Sequence, residues 1–262
     1  MHVNERLLIT NIQDLTIDDG DGLRTTIFLK GCPLRCPWCC NPETQSQKIQ
    51  YYKNKGKCID HKGSVFCREC TGLDDESKDC LFGAREQVGF WISLDELKDK
   101  LDQSLVRNVT FSGGEPLMQQ QVLIPLVRDL KRSNYNIAFE TALGISPLKE
   151  LIELVDEWII DLKLQDPFYY HVPKEMIPGA KYRMVFFSEL LEIPTWLYQL
   201  SKTLIDLNIK EIEILSYHNL GEIKYQELGI EYKRFTEPNI KHINNLVTFL
   251  KEFGISTTWL SL

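Results

Sequence analysis

The chain has 262 residues, of which 43% are hydrophobic and 26% charged, a balance typical of a protein that buries its own core. Its formal net charge of −7 argues against a nucleic-acid-binding surface. No stretch approaches the roughly 20 apolar residues of a membrane span, and the N-terminus lacks a signal-peptide pattern, so we expect a cytoplasmic protein with no membrane partner.

The first third of the chain combines one predicted strand with a cysteine-rich segment. Thr25–Leu29 (TTIFL) predicts a buried strand that leads directly into Gly31 and the first cysteines. Residues 41–90 are polar, rich in lysine, glycine and cysteine, and too poor in apolar residues for a core of their own. We therefore expect an insert over residues 41–90 whose folding depends on a bound metal.

From residue 91 onward, predicted strands and helices alternate. Ser93 and Glu96 form a predicted capping box for a helix that continues to about Leu105. Further strands are predicted at Val109–Phe111, Ile137–Glu140, Trp158–Leu162, within Arg183–Ile193, at Glu211–Leu215 and at Ile255–Leu260, with helices near 118–132, 147–155, 195–207 and 239–252. This alternation predicts a parallel sheet with right-handed crossovers. About six strands are too few for a closed eight-stranded barrel, so we expect an open, partial α/β barrel over residues 1–262, interrupted by the insert.

All eight cysteines lie between positions 32 and 80. A disulfide framework belongs to exported proteins and would be spread along the chain, so this crowding favours metal ligands. Cys32, Cys36 and Cys39 have C-x3-C-x2-C spacing directly after the buried strand, where parallel sheets place their active sites. Three thiolates hold three irons of a cubane and leave the fourth iron open to another ligand. The alternative is a zinc site with Cys40 or a histidine as the fourth ligand.

The segment DGDGLRTTIFLKGCPLRCPWCCNPET, residues 19–44, resembles the opening of the glycyl-radical-enzyme activating enzymes, a branch of the radical S-adenosylmethionine superfamily. The resemblance continues through SGGEP at 112–116, DLK at 161–163 and YHNLG at 217–221, and it covers residues of about 19–232 in the family's order. Three features depart from the family pattern: Asp21 replaces a proline, Cys40 replaces a common histidine, and no arginine-bearing strand is recognisable in RMVFFSELLEIP.

The resemblance implies a partial (β/α)6 barrel in which Cys32, Cys36 and Cys39 hold a 4Fe–4S cluster. S-adenosylmethionine would chelate the open iron through its methionyl amine and carboxylate, and one electron would cleave it to a 5′-deoxyadenosyl radical that abstracts hydrogen. The implied protein substrate is a glycine of a partner glycyl radical enzyme, and the implied electron donor is a flavodoxin or a ferredoxin-type protein. A monomer is our default expectation. Two alternatives stand beside it: a radical enzyme of the same branch that modifies a peptide or small molecule, and a non-catalytic zinc or ferredoxin-type module.

The resemblance also assigns nine further residues to the cofactor: Trp38, Cys40, Gly113, Gly114, Glu115, Glu140, Asp161, Lys163 and His218. Trp38 and Cys40 flank the last cluster ligand and would lie near the adenine. Lys163 would pair with the methionyl carboxylate, and His218 would line the pocket. Taken alone, a lysine at a strand end or a single histidine is more often structural.

Gly113, Gly114 and Glu115 would meet the methionyl amine, since glycine permits close backbone approach and a carboxylate suits a cation. A lone Gly-Gly-Glu sequence is often only a turn. Glu140 stands where the family usually has aspartate, and with Asp161 it would form a monovalent-cation site near the cofactor carboxylate. Glutamate is one methylene longer than aspartate, so retention of that site is an open question.

A second cysteine set lies within the insert. Cys58, Cys67, Cys70 and Cys80 are separated by 8, 2 and 9 residues, and four thiolates are enough for one closed cluster. Many members of the resembled family carry eight cysteines and two auxiliary clusters in this place. We expect one auxiliary 4Fe–4S cluster here, with structural zinc as the alternative and His61 as a substitute ligand.

Overall fold

The computed structural model describes residues 5–54, 56–58, 80, 83–174 and 176–260. Its strands are β1 (Arg6–Thr16), β2 (Arg24–Leu29), β3 (Gln50–Lys53), β4 (Arg85–Val88), β5 (Phe90–Ser93), β6 (Asn108–Gly113), β7 (Asn136–Thr141), β8 (Glu157–Asp161), β9 (Lys163–Gln165), β10 (Tyr169–His171), β11 (Lys181–Phe186), β12 (Glu211–Ser216) and β13 (Ser256–Leu260). Its α-helices are α1 (Leu94–Gln103), α2 (Gln120–Arg132), α3 (Lys149–Leu154), α4 (Trp196–Asp206), α5 (Glu222–Leu228) and α6 (Ile240–Glu252). None of these helices has the length and apolar character needed to cross a membrane.

A nine-stranded sheet in the order β13-β12-β11-β8-β7-β6-β2-β1-β5 forms the centre of the molecule. From β2 to β13 all neighbours are parallel, which gives seven parallel strands where about six were predicted. Within the described residues no pairing joins β13 to β5, so the barrel is open. The predicted partial α/β barrel is confirmed.

The largest difference from the sequence-based expectation is β1, an 11-residue strand for which no strand was predicted. It pairs antiparallel with β2 and β5 and extends the sheet beyond the parallel part. Two register shifts interrupt its pairing with β2, after Ile9 and after Gln13. These irregularities remove the regular alternation that identifies a half-buried strand in a sequence.

The core consists of apolar side chains from the parallel strands and the helices that cover them. Ile137 and Phe139 of β7 and Leu123 and Val127 of α2 are fully buried. Each such side chain contributes about 1.5–3 kcal/mol through removal from water. The predicted capping box of α1 is present, since the Ser93 hydroxyl accepts from the Glu96 amide and the Glu96 carboxylate accepts from the Ser93 amide.

Arg24 fixes the amino-terminal ends of three neighbouring parallel strands. Its guanidinium, 1% exposed, donates to Thr110 Oγ1 at 2.7 Å, to Asn136 Oδ1 at 2.9 Å and to the Asp21 carbonyl at 3.0 Å. Asp21, at the family's proline position, accepts from Lys181 Nζ of β11 at 2.6 Å. The departure from proline thus adds a tie between this loop and the next parallel strands.

The described part of the insert contains the antiparallel hairpin of β3 and β4. Beyond the paired residues the Asn54 amide donates to the Ala84 carbonyl at 2.9 Å. These hydrogen bonds show that part of the insert has regular structure. Cys67, Cys70 and His61 lie outside the described residues, so the metal dependence and the 41–90 boundary stay predictions.

Candidate functional site

The carboxyl ends of the parallel strands surround a cavity of about 300 Å³. Residues 31–40, here called the cysteine loop, follow β2, and Gly113 ends β6 directly beside Leu29 of β2. Glu140 and Asp161 come at the ends of β7 and β8, and His218 follows β12. All of these strand ends contribute residues to the cavity wall, as expected for ligand sites in open parallel sheets.

Cys32, Cys36 and Cys39 all line this cavity. Burial raises the pKa of the Cys32 thiol to about 11 and that of Cys36 to about 12, and it also raises the pKa of Cys39. The positive charge of Lys163 acts in the opposite direction on all three thiols. Thiols of this kind lose their protons when a metal binds, because the thiolate is the ligand.

Within the described residues no three cysteine, histidine or acidic side chains converge closely enough to share one metal ion. A cubane has a different requirement, because each thiolate binds its own iron atom. The cysteine loop is held in place by its backbone: the Gly31 amide donates to the Thr44 carbonyl at 2.6 Å, and the Cys32 amide donates to Gln45 at 3.1 Å. The three sulfurs are therefore presented from a fixed loop.

Gly113 and Gly114 also line the cavity, but their lack of a side chain serves a contact within the chain. A Cβ on Gly113, whose φ is +110°, would lie 2.4 Å from the Leu29 amide nitrogen. A Cβ on Gly114 would lie 2.3 Å from the Gly31 carbonyl oxygen. Glycine is required here because β6 packs directly against the start of the cysteine loop.

Glu115 is 1% exposed and is not among the residues of the cavity wall. Its carboxylate accepts from Thr141 Oγ1 at 2.6 Å, from the Leu117 amide at 3.2 Å and from the Gly144 amide at 3.2 Å. These bonds tie the end of β6 to the loop after β7. The predicted contact of Glu115 with the methionyl amine is untested, and the geometry shows a carboxylate already engaged by the protein.

Asp161 and Lys163 form an ion pair at the end of β8, with side chains 20% and 12% exposed. Burial lowers the pKa of Lys163, but the carboxylate of Asp161 and the nearby Cys36 outweigh it, and the net pKa is raised. Burial raises the pKa of Asp161, with Lys163 opposing. Lys163 therefore stays protonated and provides a fixed positive charge beside the cysteine loop.

Arg183 is a site residue that the sequence analysis missed. It lies on β11 directly opposite Asp161 of β8 and lines the cavity with a side chain 6% exposed. Its guanidinium donates to Glu140 Oε1 at 2.9 Å and to Glu213 Oε2 at 3.0 Å. The available signal was a single arginine within the apolar stretch YRMVFF, and the strand proves to be Lys181–Phe186.

Asp19, in the loop before β2, is a second cavity residue that was missed. Burial, reinforced by the charge of Glu140, raises the pKa of Asp19 to about 6, and the hydrogen bond from Thr26 Oγ1 at 2.8 Å opposes this shift. The floor of the cavity thus carries several carboxylates around the guanidinium of Arg183. Arg183 pairs with Glu140 and Glu213, and Lys163 pairs with Asp161.

Trp38, His218 and Cys40 line the cavity as well. The Trp38 ring lies 5.5 Å from Phe187 and edge-on to Tyr169 at 6.1 Å, which fixes its orientation. Burial lowers the pKa of His218, and its Nδ1 accepts from the Leu220 amide at 3.3 Å. The structure thus gathers eight of the nine predicted cofactor residues around one space.

Two buried polar atoms of the cavity residues have no hydrogen-bond partner in the described part of the chain: the donor Trp38 Nε1 and the acceptor Asp161 Oδ1. Together with three thiols and the ammonium of Lys163, they suit an iron–sulfur cluster with a ligand that carries both a heterocycle and a charged amino-acid group. The residues therefore fit the cofactor pair that the resemblance implies.

The fit is poorer for a monovalent cation. Arg183 and Ser112 occupy the two carboxylate oxygens of Glu140, the latter through a 2.7 Å bond to Oε2. Of the carboxylate oxygens of Glu140 and Asp161, Asp161 Oδ1 alone has no hydrogen-bond partner in the described part of the chain. In the insert, Cys58 is 5% exposed, and Cys67 and Cys70 lie outside the described residues, so the auxiliary cluster also stays a prediction.

Comparison with known proteins gives a consistent result. Residues 18–166 match the family model of the 4Fe-4S single cluster domain. The pyruvate formate-lyase 2-activating enzyme of Escherichia coli is 33% identical over 95% of this chain and 91% of that protein. The benzylsuccinate synthase activating enzyme of Thauera aromatica is 31% identical over 96% of this chain and 92% of its own. The crystal structure of QueE from Escherichia coli matches with a TM-score of 0.60 over 100% of this chain and 96% of that one, at 13% identity, which supports the fold alone.

Proposed function

Because the chain belongs to the glycyl-radical-enzyme activating enzymes of the radical S-adenosylmethionine superfamily, we propose that it abstracts hydrogen from one glycine of a partner glycyl radical enzyme. The observation that carries this proposal is the shared cavity, in which three cysteines, the Gly-Gly turn and the Asp161–Lys163 pair meet at the carboxyl edge of the sheet. This arrangement brings a metal-binding loop and a polar ligand site together in one space.

The proposed ligands of the 4Fe–4S cluster are Cys32, Cys36 and Cys39, which leaves one iron for S-adenosylmethionine. When bound, this pair supplies the carbon-centred radical that takes the hydrogen. The chain's own part is to bind and orient. We assign the methionyl carboxylate to Lys163, because its ammonium is permanently charged and only partly satisfied by Asp161. Trp38 Nε1 is available to a heterocycle acceptor.

Gly113 and Gly114 would face the amino-acid end of the cofactor through their backbone, while Glu115 holds that backbone in place from behind. For Glu140 we propose that the guanidinium of Arg183, rather than an added ion, neutralises the carboxylate. His218 and Cys40 complete the wall. The burial of these groups excludes water from around the reactive end of the cofactor.

One auxiliary 4Fe–4S cluster in the insert is a further part of the proposal. Cys58 is buried just after the end of β3, and its amide donates to the Asn54 carbonyl at 3.1 Å. The assignment of Cys67, Cys70 and Cys80 to the same cluster depends on their spacing alone. The flavodoxin- or ferredoxin-type donor, the monomeric state and the cytoplasmic location stay predictions.

The test is anaerobic reconstitution with iron and sulfide, reduction, and addition of S-adenosylmethionine with a candidate glycyl radical enzyme. The expected result is a glycyl radical on the partner by electron paramagnetic resonance and stoichiometric 5′-deoxyadenosine. Cys36→Ala should abolish both signals. Cleavage of the cofactor without any glycyl radical would favour a peptide or small-molecule substrate, and a preparation that holds only zinc would favour the non-catalytic module.

A further inference from the structure

Helix α5, residues Glu222–Leu228, packs against the turn that follows the cysteine loop. This short helix is far from the loop in sequence and was not predicted. Its side chains contact the cysteine loop and, within the insert, the turn at residues 41–44 and Asn54. None of these contacts is part of the function proposed above.

Lys224 of α5 makes the central contact. Its Nζ donates to Asn41 Oδ1 and to Glu43 Oε1, both at 2.7 Å. The side chain of Glu43 is 12% exposed and that of Lys224 is 31% exposed, so the pair is largely shielded from solvent. Asn41 is two residues from the ligand Cys39, and one ammonium group therefore fixes the end of the cysteine loop.

Tyr225, the next residue, holds the loop at the ligand itself. Its hydroxyl donates to the Cys39 carbonyl at 3.0 Å, and the residue is 5% exposed. Its ring lies 5.0 Å from that of Tyr232, which supports it from the outer side. The backbone of Cys39 thus has a buried hydrogen-bond donor aimed at it from α5.

Gly221, at the start of the helix, allows this close packing. A Cβ there would lie 3.0 Å from both the Cα and the carbonyl oxygen of Cys40, so any side chain would separate the helix from the loop. At the other end of α5, Glu227 Oε1 accepts from Asn54 Nδ2 of the insert at 3.3 Å. The helix therefore joins the insert to the cysteine loop.

We propose that α5 is a clasp on the cysteine loop, with Lys224 as a positioning residue that holds the Cys39 end of the loop and places a fixed positive charge beside the cluster. This inference rests on the proposed function, because it assumes a cluster on Cys32, Cys36 and Cys39. Lys224 acts through Asn41, Glu43 and the loop backbone and need not contact the cofactor. Positive charge near a cluster favours its reduced form, and a rigid loop slows the release of iron.

The test uses the full chain, reconstituted anaerobically, without S-adenosylmethionine. Lys224→Met removes the ammonium and keeps the apolar stem, Lys224→Arg restores the charge, and Lys241→Met replaces an exposed lysine of α6 as the matched control. Two quantities are measured: the rate of iron release to a chelator, and the midpoint potential of the cysteine-loop cluster by electron paramagnetic resonance. The unsubstituted protein and the three variants all keep the cysteines of the insert.

For Lys224→Met we expect roughly tenfold faster iron release, the effect of losing one charge-assisted contact, and a more negative midpoint potential. Lys224→Arg should restore the potential, and Lys241→Met should match the unsubstituted protein. A purely structural role would alter release but leave the potential unchanged, and that outcome, or equal values for Lys224→Met and the control, would overturn the proposal.

If Lys224→Met cannot be purified, Lys224→Gln takes its place in both measurements, and Tyr225→Phe tests the clasp separately through the rate of iron release. Loss of one hydrogen bond to the Cys39 carbonyl should accelerate iron release roughly fivefold. An unchanged rate would contradict the clasp. If the unsubstituted protein itself binds no cluster at the cysteine loop, the proposed function fails, and this result is distinct from failure of the clasp alone.

Discussion

Replacing Arg183 with methionine tests the charge arrangement at the floor of the cavity. The guanidinium is 6% exposed and pairs with Glu140 and Glu213, whose side chains are 18% and 25% exposed. Methionine keeps most of the side-chain volume but leaves two shielded carboxylates without their cation. The substitution therefore separates charge from packing.

Removing one partner of a buried ion pair costs about 3–5 kcal/mol, because the remaining charge stays buried without compensation. Ser112 still donates to Glu140 at 2.7 Å, and Glu213 is partly solvated. Because of both facts, we expect Arg183→Met to lower the free energy of unfolding by an amount at the lower end of this range, about 3 kcal/mol at neutral pH. An exposed pair such as Arg128–Glu150 should lose less than about 1 kcal/mol on Arg128→Met, which makes it the control.

The loss should depend on pH in a defined direction. Burial raises the pKa of Glu140, but Arg183 and Ser112 outweigh it and hold the pKa below the ordinary 4.5. The stabilisation that follows from this lowered pKa is fully present at pH values above the pKa of Glu140 in the unfolded chain. It is lost as the pH falls through the lower pKa of the folded protein. In Arg183→Met, burial acts without its main opponent, so the pKa of Glu140 rises and its protonation relieves the variant as the pH falls. Asp19, with its pKa already raised to about 6, changes in the same direction.

The assay is urea unfolding under anaerobic conditions, followed by circular dichroism from neutral pH to about pH 5. The difference between the unsubstituted chain and Arg183→Met should be largest at neutral pH and shrink toward acid. The double variant Arg183→Met/Glu140→Gln should recover part of the lost stability, because it no longer buries an unpaired charge. A loss below about 1 kcal/mol, or a double variant as unstable as the sum of its parts, would refute the ion-pair reasoning.

Three further predictions concern the site. Gly114→Ala should destabilise the protein by more than about 3 kcal/mol, as measured by thermal unfolding, because its Cβ would lie 2.3 Å from the Gly31 carbonyl oxygen; Gly56→Ala, with its nearest atom at 3.3 Å, should be far milder. Cys58→Ser should lower the iron content from roughly eight to roughly four ions per chain while cofactor cleavage with dithionite persists, and unchanged iron would exclude Cys58 as a ligand. Replacement of sodium and potassium by a bulky organic cation should leave cofactor cleavage unchanged, whereas Arg183→Met should acquire a cation requirement; a requirement in the unsubstituted enzyme would contradict the assignment of Arg183.

Much of the fold could be predicted because its signals are local. The strand at Thr25–Leu29, the capping box at Ser93 and the alternation after residue 91 each depend on neighbouring residues, and the structure contains these elements. The three cysteines and the Gly-Gly turn carry their spacing in the sequence as well. The local sequence does not show which distant residues each of these groups lies against. The two glycines line the cavity, but their local sequence does not show that an added Cβ at either position would collide with Leu29 or Gly31.

The features that were missed depend on strand register and on long-range contacts. Arg183 reaches Glu140 because β11 pairs with β8 so that Arg183 stands opposite Asp161. A shift of one residue would turn the guanidinium to the other face of the sheet. Lys224 and Glu43 are separated by 181 positions in the sequence, and no local pattern links them.

Lys163 influences both Asp161 and the cysteine loop through its positive charge. Its ammonium pairs with Asp161, and its charge opposes the burial-driven rise in the pKa of each of the three cysteines. The proposed cluster would add the negative charge of three thiolates near this lysine, which already neutralises the Asp161 carboxylate. Lys224, paired with Glu43 after the end of the cysteine loop, is a second fixed cation. Burial raises the pKa of Cys40, and the charge of Lys224 opposes that rise. If Cys32, Cys36 and Cys39 hold the proposed cluster, the two lysines would balance part of the charge of its thiolates.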